Sequence, residues 1–289
     1  MVLILLAWLI GCDSGDKGDS VDTDSATDTD TDTDTDPDTT DTNDTDTDAT
    51  ETDTDTVVTI EPGEPGVTGI LVGPDGVALA GHDVLICYPG QCIFAVSGQD
   101  GGFGVALDPG TPVAVKTHED INADPLWGAA LEPAIVGDGT LDLGNVHIPD
   151  MPEPVKLGPE SADPQTLAIG DGLTMTFNRA DLDAEIGVFL YDVAARRLPA
   201  EHIPPYPQLN GEAVEAVYAI HPFATESDSP VAFELPSTLP AGTLVHLRSI
   251  GILDGTFSEP AIGHADGAKI TTDPGEGLDF LSYVVVSVP

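Results

Sequence analysis

Apolar and polar positions divide the chain into three successive regimes. Residues 1–10 (MVLILLAWLI) are an unbroken apolar run. A helix needs about 20 such residues to span a bilayer, so this run has the length of a signal-peptide core rather than of a membrane span. Residues 13–56 then hold no large apolar side chain except Val21. From Val57 onward apolar positions return as short runs, with Gly, Pro and Asp between them. Runs of this length bounded by turn residues predict strands.

The first set of strands is read at residues 66–72, within 77–86, at 94–97, 99–107 and 112–116, with turns at 73–76 and 108–111. Gly76 and Gly101 each follow an Asp in a tight turn, where a positive φ costs little only for glycine. Residues 126–131 are apolar enough to be core. Prolines at 149, 152 and 154 mark a stiff joint. A second set follows at 165–169, 173–177, 186–191, 214–220, 231–235, 243–250 and 280–286. Thr174, Thr176, Glu215 and His246 alternate with apolar neighbours, so those strands wet one face. The fold class predicted is all-β: two Ig-like β-sandwich domains at 57–149 and 158–289, joined by 150–157, after a leader (1–12) and a disordered acidic linker (13–56).

Charge narrows the partners. The chain carries 51 acidic and 8 basic residues, a formal charge of −43. Residues 13–56 contain 18 of the acids and only Lys17 among the bases, leaving 33 acids against 7 bases elsewhere. Such a field repels phosphate backbones and anionic lipid head groups, which excludes nucleic acid and surface adsorption to lipid. Cations and basic surfaces are its natural counterparts. The Thr-Asp repeats of 27–36 cannot bury enough surface to offset the entropy of ordering, so the stretch is expected to be a coil. A neutral coil of that length would span about 40 Å, and charge repulsion extends it. It would hold the domains away from a membrane. Calcium loops use a Gly-centred turn. No Gly lies between Gly18 and Gly63, so Ca²⁺ binding here would be diffuse and weak; the threonines are an alternative substrate for glycosylation.

Leu9, Ile10, Gly11 and Cys12 close the apolar run and resemble the bacterial lipobox. No Lys or Arg precedes the run. The resemblance implies lipidation of Cys12 and a lipid-anchored protein of the bacterial cell envelope, periplasmic or surface-exposed. Asp13 resembles an inner-membrane retention signal, a rule that differs between bacterial groups, so which membrane is left open. Further on, the order Val67-x-Gly69, Asp75-Gly76, Leu79-Ala80-Gly81-x-x-Val84, Asp100-Gly101-x-Phe103, Pro109-Gly110 and Val113-x-Val115 is similar to the carboxypeptidase regulatory-like domain, over about residues 64–118. That resemblance implies a transthyretin-type sandwich with a non-catalytic role in adhesion, folding support or display. Residues 218–223 and 235–243 resemble Ig-like modules of exported bacterial proteins, of ZU5-like type.

With Cys12 assigned to lipid, Cys87 and Cys92 remain as a pair around Tyr88-Pro89-Gly90-Gln91. The central Pro-Gly favours a type II turn that brings the cysteines within bridging distance, and a disulfide is the reading. A metal pair would need two further ligands, and a redox pair wants Cys-x-x-Cys before a helix; neither is visible. Histidines at 82, 118, 147, 202, 221, 246 and 264 show no metalloprotease spacing, and Ser97 and Ser249 lie in no nucleophile elbow. Asp181 and Asp183 pair acids as glycosidases do, yet adjacent acids are expected in so acidic a chain. Residues 117–124 are the densest polar segment of the first domain, a solvated loop or oxygen ligands for a cation. No catalytic, metal or cofactor-binding residue is assigned. The expected function is a non-enzymatic, surface-tethered binding or structural module, with a protein or polysaccharide partner in the envelope. The rivals are a Ca²⁺-binding surface protein and an envelope hydrolase or its accessory.

Overall fold

Short apolar runs between turn residues fold as strands in the first half of the chain, in a computed structural model that describes residues 60–61, 63–184 and 190–289. The apolar leader, Cys12 and the Thr/Asp stretch lie outside the described residues, as does most of the strand expected at 186–191. Among the described residues the only helical turns are three-residue 3₁₀ turns, and no helix is long and apolar enough to cross a membrane. The all-β expectation holds.

The first lobe contains β1 (Gly66–Val72), β2 (Asp83–Tyr88), β3 (Gln91–Val96), β4 (Gly102–Ala106), β5 (Pro112–Lys116), β6 (Leu131–Ile135) and β7 (Thr140–His147). They form two sheets, ordered β4-β1-β7 and β3-β2-β5-β6. Val67, Leu71, Val84, Ile86, Phe103 and Val115 fill the space between them. Gly101 turns the chain into β4 at φ 78°, where a Cβ would lie 2.7 Å from the Leu71 carbonyl oxygen. The Asp-Gly pattern therefore marks a turn that only glycine fits.

The second lobe contains β8 (Val155–Lys156), β9 (Pro164–Gly170), β10 (Leu173–Asn178), β11 (Leu182–Asp183), β12 (Asp192–Arg197), β13 (Ala213–His221), β14 (Thr225–Pro236), β15 (Leu244–Ser249), β16 (Ala261–Ala265), β17 (Lys269–Thr272), β18 (Leu278–Leu281) and β19 (Tyr283–Val288). They make one long sheet, β8-β12-β13-β19-β15-β16-β17-β14-β10-β9, with β11 and β18 also paired to β14. The sheet curls until its ends approach: a Cβ on Gly170 of β9 would lie 2.4 Å from the Ala195 carbonyl oxygen of β12. Leu173, Met175, Phe233, Leu247, Ile270 and Val286 fill the interior.

A third apolar layer joins the lobes. Ala216, Tyr218 and Ile220 of β13 point into the curled sheet, whereas Val217 and Ala219 point out of it. In β19, Val284 and Val286 point in, and Tyr283 and Val285 point out. The outward set packs on Leu85, Cys87 and Ala114 of the first lobe, with Ala129, Leu131 and Met151 completing the layer. Strands buried on both faces need no polar alternation, which explains the continuous apolar run of β19. Gly255, between β15 and β16, seals this layer: at φ 66° its Cβ would lie 2.1 Å from the Val113 carbonyl oxygen of β5.

Several strands coincide with expectation, among them β1 and β5. The run expected at 280–286 divides into β18 and β19 at Ser282, whose hydroxyl donates to the Ile250 carbonyl (2.6 Å) and accepts from the Ile250 N–H (3.2 Å). Seven strands were not expected from pattern: β6, β7, β8, β11, β12, β16 and β17. β12 (DVAARR) has only one strong strand former and is extended because β13 and β8 pair with its two edges.

Candidate functional site

The polar segment that follows β5 is organised rather than loose. Thr117 exchanges two hydrogen bonds with Ala130, donating its N–H to the Ala130 carbonyl at 3.2 Å and accepting the Ala130 N–H on Oγ1 at 3.0 Å. Asp120 pairs with Trp127, and its carboxylate accepts the Asn122 N–H at 3.0 Å. The segment is thereby held over the lobe junction. It closes one side of a groove of about 680 Å³, the other sides coming from the proline-rich joint and from the chain around β12 and β13.

At the junction, His221 at the end of β13 meets Glu119 of that segment, Nδ1 to Oε1 at 2.9 Å. Both side chains are nearly enclosed, with 8% and 9% of their surface exposed. The other ring nitrogen faces Asp192 of β12 at 3.5 Å. Burial on its own would lower the His221 pKa, but the hydrogen bond and charge of Glu119, followed by those of Asp192, outweigh it and raise the pKa above the usual histidine value. The arrangement is an imidazole clasped by two carboxylates that belong to different lobes, both of which favour its protonated form. Both ring nitrogens face carboxylates.

Leu126, Met151, Pro152 and Phe223 give the groove apolar walls. Ile121 and Tyr191, 68% and 69% exposed, stand at its edges and are two of the large apolar side chains that the fold leaves in water. Lys116 and His118 also line it, together with the carboxylates of Glu119, Asp124, Glu153 and Asp192. Ala224, directly after Phe223, adopts φ 63° while buried. A left-handed alanine costs about 1–2 kcal/mol, so the chain beside the groove is held in place by its surroundings.

Two further concavities contain residues of interest. One, of about 200 Å³, lies on the same junction and is lined in part by Glu132, His147, His202, Arg196 and Tyr283. The imidazoles of His147 and His202 stack at 3.6 Å, and the His147 pKa is lowered, by burial first and by His202 second. Burial pushes the Glu132 carboxyl up to about 8. Tyr283 donates its hydroxyl to the Ala129 carbonyl at 3.0 Å, whereas the buried hydroxyl of Tyr206 has no hydrogen-bond partner. The other concavity gathers Asp181, Asp183, Glu226, Asp228 and Asp279. Asp181 accepts hydrogen bonds from Ser229 and Asn178, which lower its pKa. Among the described residues no group of three or more His, Cys, Asp or Glu is arranged to hold a metal ion.

Cys87 and Cys92 form a disulfide that closes the β2–β3 hairpin. Cys12 lies outside the described residues. The scattered histidines take local carboxylate partners in several cases: His246 meets Glu212 at 3.1 Å and His264 meets Asp273 at 2.8 Å. Ser97 is structural, its hydroxyl donating to the Leu79 carbonyl and accepting the His82 N–H. Sequence reasoning marked the segment containing Glu119 but missed His221 and Asp192, which no local pattern announces: Glu119 and His221 are 102 positions apart. No protein-family model matches the chain, and no curated protein matches it.

Proposed function

We propose that this chain is a lipid-anchored protein of the bacterial cell envelope. In this reading it displays a non-enzymatic β-sandwich binding module on an acidic tether. The observation that carries the binding role is the junction groove, apolar within, acid-bearing, and flanked by Ile121 and Tyr191 in water. Its volume lies within the roughly 300–1,000 Å³ of ordinary ligand sites, and junctions between folded units are where such sites concentrate. The lipobox resemblance at Cys12 and the Thr/Asp stretch support the anchor and tether. The disulfide supports an oxidising compartment. The similarity of residues 64–118 to carboxypeptidase regulatory-like domains supports a display role for the first lobe.

Capture from envelope fractions tests the reading, with the full chain compared with an Ile121→Ser/Tyr191→Ser variant. Both side chains are largely exposed, and a melting curve of the variant checks that it folds. A partner retained by the wild type and lost by the variant supports the groove; equal capture refutes it. Palmitate labelling of wild type and Cys12→Ala tests the anchor, and equal label in both rejects it. The excess of 33 acids over 7 bases in residues 57–289 favours one second reading, a Ca²⁺-binding surface protein with diffuse rather than clustered carboxylates. A rise in melting temperature in millimolar calcium supports that reading, and an unchanged melting temperature removes it.

A further inference from the structure

Resting on the groove reading, we infer that the occupant of the junction groove is an extended peptide segment carrying lysine or arginine side chains beside apolar ones. Four carboxylates, Glu119, Asp124, Glu153 and Asp192, line the groove against one lysine, Lys116, and two histidines, His118 and His221. The surrounding chain reinforces that sign, because residues 57–289 carry 33 acids and 7 bases. A concave site with apolar walls focuses such a field and raises the local concentration of cations. Glu119 is committed to His221, and Asp192 faces the same ring. Asp124 and Glu153 are exposed and form none of the ion pairs found among the described residues, which leaves their charges available to an occupant.

The apolar component sets the rest of the chemistry. Leu126, Met151 and Phe223 offer nothing to a hydrated metal ion or a compact polar amine, but they suit the methylene stems of Lys or Arg and their apolar neighbours. Tyr191 and Ile121 extend the apolar surface outward to a chain longer than one residue. An anionic polysaccharide would be repelled, and a neutral one would gain nothing from the charge.

The test is calorimetric titration of the full chain with an end-capped LRLRL peptide, its citrulline counterpart, which keeps shape and loses charge, and its glutamate counterpart. The arginine peptide binds, the citrulline peptide binds at least several-fold more weakly, and the glutamate peptide does not bind. Replacing both rim acids, Asp124→Asn/Glu153→Gln, lowers affinity about three- to tenfold, as expected for two partly solvated charge pairs. Asp228→Asn/Asp279→Asn, in the separate acidic concavity, leaves affinity unchanged. Equal binding of the arginine and citrulline peptides, no binding of any peptide, or equal losses in the two acid variants overturns the inference. The Ile121→Ser/Tyr191→Ser variant separates the two levels: if it loses its envelope partner while charge proves irrelevant, the groove stands and only the ligand class fails.

Discussion

Replacing Glu119 with Gln preserves shape while removing one charge from the clasp across the lobes. In the wild type the Glu119 carboxylate lies 2.9 Å from His221, and both side chains are more than nine-tenths enclosed. Breaking an enclosed ion pair by neutralising one partner costs about 3–5 kcal/mol. Two features reduce that here: Asp192 still faces the ring at 3.5 Å, and His221 can release its proton. The expected loss is therefore about 2–3 kcal/mol at about pH 6. Its pH dependence follows from the raised His221 pKa. A histidine that binds its proton more tightly folded than unfolded contributes stability that is complete below the unfolded value of about 6.5 and disappears as pH rises through the native one. At a pH above that native value, wild type would enclose a carboxylate beside a neutral imidazole, so the variant should match or exceed it. Urea unfolding of both proteins at the two pH values reads the difference directly. Equal losses at both, or no loss at the lower one, would refute the clasp.

Reduction, or the Cys87→Ala/Cys92→Ala pair, should cost about 2 kcal/mol in urea unfolding, because the bridge spans a separation of only 5 residues and constrains little unfolded-state entropy. The Glu132 carboxyl, raised from 4.5 to about 8, keeps its proton where the unfolded chain has lost it, so stability falls as pH rises through that window. Glu132→Gln should therefore match wild type at about pH 4 and exceed it by about 1–2 kcal/mol at about pH 8, a figure reduced for partial exposure; parallel melting curves at both pH values would contradict this. Gly255→Ala drives a Cβ to within 2.1 Å of the Val113 carbonyl at φ 66° and should cost about 2–4 kcal/mol in thermal unfolding. Gly110→Ala is its control, since a Cβ there meets nothing within 4 Å and only the left-handed backbone is penalised.

The β class, the positions of tight turns and the Cys87–Cys92 hairpin were legible in the linear chain because each depends on residues a few positions apart. Asp100-Gly101 marks a turn through the φ that glycine alone adopts freely. Tyr88–Gln91 brings two cysteines together through a Pro-Gly centre. Period-two alternation shows that a strand has two faces, but not what covers each face. The run Tyr283-Val284-Val285-Val286 shows the gap: its residues divide between the interior of the curled sheet and the layer against the first lobe, and both destinations are apolar. β12 lacked a strand pattern altogether, since its conformation comes from its neighbours. The groove was invisible for the same reason. Glu119 could be seen as one acid in a polar segment, but its meeting with His221 depends on how two lobes pack, and side chains 102 positions apart share no local signature. Local stereochemistry and solubility are written residue by residue; the site exists only where long-range burial brings distant charges together.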